Sequence, residues 1–80
     1  MKHYLIIRDY TIDYENTVEI IGIAYTMRKA KKIFNENVVE DMKYAEDKGF
    51  IIHTDEDTEF DAGEEGCYIE NHTNLHIKIV

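Results

Sequence analysis

The side chains with the most chemistry to offer in this chain are carboxylates, and they are bunched. Asp55, Glu56, Asp57, Glu59, Asp61, Glu64 and Glu65 follow one another with no basic residue among them. Acids at near-alternating positions invite comparison with a calcium loop, but the comparison fails in detail. An EF-hand loop takes glycine at its sixth position and a bidentate acid at its twelfth; counting from Asp55, those positions hold Phe60 and Gly66. No specific metal site is expected. Carboxylates this close repel one another unless something cationic neutralises them. They therefore serve either as a solvated loop that keeps a small protein soluble or as a surface that binds a basic partner. In the second use they would occupy a basic groove in place of phosphates, with the same electrostatic attraction and counterion release.

The other reactive groups are sparse. Four histidines, His3, His53, His72 and His76, accompany one cysteine, Cys67. His72 and His76 are expected to flank a turn rather than share a helical face, and no HExxH motif or cysteine pair supports them as ligands. Cys67 lies in phase with the core positions of its expected strand, which favours a buried thiol over a nucleophile paired with His53. No catalytic residue and no cofactor is assigned. Arg28, Lys29, Lys31 and Lys32 form a basic cluster at the start of an expected helix, where the macrodipole disfavours positive charge. No glycine-rich phosphate loop precedes them, so a solvent-facing stripe is the expectation. Tyrosines at 4, 10, 14, 25, 44 and 68 supply sheet and core-edge residues, and those left exposed could anchor an interface.

The framework carrying these groups is short. Eighty residues with 44% hydrophobic content make one α+β domain and leave no room for a second core. One cysteine excludes an intramolecular disulfide and a multi-cysteine zinc site. The net charge of −8 comes almost wholly from the acidic segment, which argues against direct nucleic-acid binding. The opening holds only the apolar run Tyr4-Leu5-Ile6-Ile7 before Arg8-Asp9, so neither a signal peptide nor a membrane span is expected. A cytoplasmic location follows as the expectation.

Lys2 to Tyr10 reads as a strand, and the polar stretch Thr11 to Asn16 as the connection to a second over Thr17 to Ala24. In that second strand the alternation of Val18 and Ile20 collides with Ile21 and Ile23 around Gly22, a phase change that marks a bulge. From Met27 the apolar period changes to three and four: Met27, Ala30, Ile33, Phe34, Val38, Met42, Ala45. This predicts a helix from Met27 to Lys48, capped by Thr26 and stopped by a left-handed Gly49, and weakest near Asn35 and Asn37. Phe50 to Thr54 predicts a third strand, followed by the acidic segment as a long loop. Cys67–Asn71 and Leu75–Val80 predict a closing hairpin turned by His72-Thr73-Asn74. The order is ββαβββ, an antiparallel or mixed sheet of four or five strands with one long helix on one face.

The N-terminal Tyr4-Leu5-Ile6 strand, the second strand ending in Ile23-Ala24 and the helix opening Thr26-Met27-Arg28-Lys29-Ala30-Lys31-Lys32-Ile33 resemble the layout of small phage-encoded anti-CRISPR proteins. The resemblance covers roughly the first 35 residues as a pattern of residue types, and the acidic segment and closing hairpin depart from it. It implies a stoichiometric, non-enzymatic inhibitor of a CRISPR effector. Joined to the acidic segment, it points to a protein partner with a basic nucleic-acid-binding surface. The alternative is a small interaction or regulatory module of a mobile element, forming homodimers through a sheet edge or its tyrosines.

Overall fold

A computed structural model describes residues 2–64 and 70–80. Its elements are β1 (Tyr4–Ile12), β2 (Glu15–Ala24), α1 (Met27–Lys48), β3 (Ile51–Asp55), β4 (Glu59–Gly63) and β5 (His72–Ile79). The five strands make one sheet in the order β2-β1-β5-β4-β3, antiparallel at every pairing. The ββαβββ order and the single helix packed on one face are as the residue pattern implies.

The helix has both of its expected ends. Thr26 is extended and its hydroxyl accepts from the Lys29 N–H at 3.2 Å, satisfying one of the orphan donors of the first turn. At the other end Gly49 takes φ 72°. The Gly49 N–H then reaches the Glu46 carbonyl at 3.2 Å and the Phe50 N–H reaches that of Ala45 at 2.8 Å, the paired bonds of a Schellman stop. The Phe50 ring closes this turn edge-on against Tyr44. Asn37 does not break the helix: its side-chain amide donates to the Ile33 carbonyl at 2.9 Å.

Ala30, Phe34 and Ala45 of the helix bury themselves on Ile6, Phe60, Ala62 and Leu75 of the sheet. Ile33, Val38 and Met42 are half-buried around them. The expected bulge is present: Ile6 pairs with Gly22 and Ile7 with Ile20, leaving Ile21 as the extra residue of β2. Gly22 has a second role, since a Cβ there would stand 3.0 Å from Cγ2 of Ile33. A side chain at that point would require the Ile33 side chain to give way by a few tenths of an ångström.

Three sequence expectations need correction. The first connection is shorter than expected: β1 runs to Ile12, β2 begins at Glu15, and only Asp13 and Tyr14 turn, both with positive φ. The acidic segment is not one long loop. Residues 59–63 form β4, paired with β3 from Ile51↔Gly63 to Asp55↔Phe60, because Phe60 and Ala62 alternate inward and are wholly buried. Finally, His72-Thr73-Asn74 is not a turn. These residues open β5, the central strand, which pairs with β1 from His72 to Ile79 and with β4 from His72 to His76. Glu70 and Asn71 form a bend, while residues 67–69 of the expected strand Cys67–Asn71 lie outside the described residues.

Candidate functional site

Strand alternation gives the sheet a covered face and an open one. Tyr4, Ile6 and Arg8 of β1 turn toward the helix. Leu5, Ile7 and Asp9 therefore line the open face, with their register partners Ile23, Ile20 and Val18 on β2 and Lys78, His76 and Asn74 on β5. Glu59 pairs with His76 and Asp61 with Asn74, so both β4 carboxylates share the open face with the histidines.

These neighbours are joined. The Asn74 side-chain amide donates to Glu59 Oε2 at 3.0 Å and to Asp61 Oδ2 at 3.3 Å. Its NH₂ group thus faces two acceptors, which leaves Oδ1 to accept from His76 Nδ1 at 2.7 Å. That donor role places a proton on Nδ1 of His76. On the far side of Asp61, Oδ1 meets Nε2 of His72 at 2.9 Å. Asn74 is only 8% exposed; a central strand would not tolerate its amide unpaired, and the carboxylates supply the partners. Among the described residues no hydroxyl or thiol is hydrogen-bonded to either histidine, so the cluster holds oriented imidazoles and carboxylates without a nucleophile in place.

The seven acids of the segment are thereby divided. Asp55, Glu56 and Asp57 are exposed at the tip of the β3–β4 hairpin, where the Glu56 N–H donates to the Glu59 carbonyl at 2.8 Å. The tip is anchored by the Ile77 N–H, which donates to the Thr58 carbonyl at 3.0 Å. Glu59 and Asp61 are half-buried and hold Asn74. Glu64 lies at the opposite end of β4, where its Oε1 accepts from the Asn71 amide at 2.6 Å; Glu65 lies outside the described residues. The structure thus separates three outward carboxylates from three that hold side-chain amides, and the expectation of a single uniform acidic loop is corrected accordingly.

The covered face carries the other polar network. Arg8 grips Asp41 of the helix through Nη2–Oδ1 at 2.8 Å and Nε–Oδ2 at 3.4 Å, and Nη2 also donates to Asn37 Oδ1 at 3.2 Å. Glu19 stands farther off, 3.8 Å from Nη1. Asp41 is 7% exposed, and this burial raises its pKa above the ordinary carboxylate value, opposed by the charge and hydrogen bonds of Arg8. Tyr10, Ile12, Glu40 and Tyr44 surround the network in a surface cleft. Nothing in the sequence pairs Arg8 with Asp41, because the partners are 33 positions apart. The i+4 spacing of Asn37 and Asp41 on one helical face was the available signal.

Arg28, Lys29 and Lys32 are exposed and Lys31 half-buried. Among the described residues none of the four forms an ion pair, so the stripe does not neutralise the acidic tip. Groups of three or more side chains able to hold a metal ion are absent among the described residues, as is any helix long and apolar enough to cross a membrane. His53 is exposed in a bulge of β3, and its suggested partner Cys67 lies outside the described residues, as does Tyr68. The chain matches no protein-family model, no curated protein and no solved structure.

Proposed function

We propose that this protein is a non-enzymatic inhibitor of the anti-CRISPR kind, which docks the acidic tip of its β3–β4 hairpin on a basic, nucleic-acid-binding surface of a protein partner. One observation carries the reading: Asp55, Glu56 and Asp57 are exposed together on a hairpin with no cationic partner among the described residues. Paired strands hold the tip in place, so docking orders little additional backbone, which lowers the entropic cost of binding. Glu59 and Asp61 continue the negative potential along β4 while Asn74 holds their carboxylates still. A basic groove that normally takes phosphates would meet charges of the same sign and release the same counterions.

The test uses the triple variant D55N/E56Q/D57N. In bacteria with an active CRISPR system, the wild-type protein should protect a targeted plasmid and the triple variant should not. With a purified effector complex, wild-type affinity should fall steeply with salt, and the variant's slope should be shallower by about one unit for each charge removed. Equal protection by the two proteins, or equal salt dependence, would sink the proposal. A second reading, a homodimeric interaction module, is favoured by the exposed Val18, Ile20 and Ile23 of β2.

A further inference from the structure

The cleft above the Arg8–Asp41 pair has two walls. The sheet supplies Tyr10, Ile12 and Glu19, and the helix supplies Glu40 and Tyr44. Each wall thus brings one tyrosine and one carboxylate. Both carboxylates are exposed. Among the described residues Glu40 forms no ion pair, and Glu19 has only the 3.8 Å approach to Arg8. Arg8 itself is committed to Asp41 and Asn37. One cation against the carboxylates of Glu19, Glu40 and Asp41 leaves the cleft negative. Burial raises the Asp41 pKa, Arg8 opposes the rise and Glu40 adds to it, so the like charges of this cleft already act on one another.

We infer that this cleft binds a guanidinium group, held between Tyr10 and Tyr44 and paired with Glu19 and Glu40. The charge of the lining decides the sign of the ligand. The rings decide its shape: a planar guanidinium stacks on an aromatic face while its N–H fork pairs with a carboxylate, whereas an ammonium is a compact, strongly hydrated point charge. The Tyr44 ring is accessible to a cation, since Nζ of Lys48, which is not part of the cleft lining, stands 5.8 Å from its centroid. A metal ion fits less well, because no group of three or more ligating side chains occurs among the described residues. Ile12 and the tyrosine rings offer apolar cover to the methylene stem that carries such a group.

The dimensions agree. The cleft holds about 330 Å³, at the small end of the roughly 300–1,000 Å³ of ligand sites, which suits one arginine-sized group. It lies toward the β1–β2 turn, where Tyr10 pairs with Thr73. The acidic tip lies beyond the other ends of the strands, anchored at Ile77. Guanidinium binding therefore goes beyond the reading of that tip and stands independently of it. The group arrives either on an arginine side chain of another protein or on a small free molecule such as agmatine, and the two differ in what surrounds the guanidinium.

Amide-resolved NMR titration with two probes, N-acetyl-arginine methylamide and agmatine, provides the test. Saturable shifts centred on Tyr10, Ile12, Glu19, Glu40 and Tyr44 are expected at probe concentrations up to about 50 mM. Saturation by the blocked arginine assigns the site to an arginine side chain, and saturation by agmatine alone assigns it to a small free guanidinium. The correspondingly blocked lysine should bind about fivefold more weakly than the blocked arginine, or cadaverine about fivefold more weakly than agmatine. E19Q/E40Q should raise the dissociation constant by about tenfold yet melt like wild type, because both side chains are exposed. Tyr44→Leu, which keeps apolar cover but removes the ring face, should weaken binding by about threefold. No saturation by either probe overturns the inference. Unchanged affinity of E19Q/E40Q overturns it too, as does an ammonium probe that binds as tightly as its guanidinium counterpart.

Discussion

The buried pair of Arg8 and Asp41 offers the sharpest quantitative test of the packing between sheet and helix. Arg8→Met removes the cation and leaves a carboxylate at 7% exposure without its bidentate partner. Unpartnering a buried charge costs about 3–5 kcal/mol. A domain of this length has roughly 4–12 kcal/mol of stability in total, at about 0.05–0.15 kcal/mol per residue. The variant should therefore lose a large share of its stability, with the melting temperature falling by about 12–40 °C at roughly 4–8 °C per kcal/mol. The loss should also depend on pH with a definite sign. Burial already raises the Asp41 pKa, and Arg8 is the main influence opposing it; without Arg8 the pKa rises further. A folded state that holds a proton more tightly than the unfolded chain gains stability as pH falls, and loses that gain as pH rises through the folded pKa. The deficit of Arg8→Met should thus be smaller at about pH 5 than at about pH 7. The double variant R8M/D41L removes both charges and should return to within about 2 kcal/mol of wild type, or exceed it. Urea unfolding of wild type, Arg8→Met, Asp41→Leu and the double variant at both pH values closes the cycle. Additive single effects with no pH dependence would refute the reasoning, because they would show that the two side chains do not share a buried site.

Phe34→Ala should cost about 3–5 kcal/mol in urea unfolding, since the ring is among the largest fully buried side chains; a loss below about 1 kcal/mol would contradict that packing. Tyr14→Gly should stabilise the fold by about 1 kcal/mol, because Tyr14 holds φ 70° in the turn while 70% exposed, and the left-handed conformation costs a non-glycine residue about 1–2 kcal/mol. The tip variant D55N/E56Q/D57N should melt within about 3 °C of wild type, because exposed charges contribute little to stability. Amides at Glu59 or Asp61 should by contrast lower the melting temperature, as they weaken the bonds to Asn74. Calcium or zinc added in about tenfold excess should leave the melting temperature unchanged, whereas a specific ligand at 100 times its dissociation constant would stabilise by about 2.7 kcal/mol.

Local chemistry carried far in this chain. The three- and four-residue apolar period from Met27, the Thr26 hydroxyl and Gly49 mark both ends of α1 without any tertiary contact, because capping and left-handed stops are satisfied within one turn. The bulge of β2 shows in the phase change around Gly22 for the same local reason. The acidic tip was legible as a run of carboxylates, and Phe60 and Ala62 within it carried the two-residue alternation of β4. Only the tertiary structure decided the rest. Asn74 and its neighbours have the composition of a turn, yet they sit in the central strand because β1 and β4 satisfy their backbones and Glu59 and Asp61 satisfy the amide. The separation of Glu59 and Asp61 from the outward tip follows from that strand, whose Asn74 lies 15 and 13 positions away from them. Arg8 and Asp41 met for the same reason, since residues distant in the chain become neighbours only when the helix lies down on the sheet. Sequence periodicity reports which face of an element is apolar; it does not report which buried polar group on one element answers another.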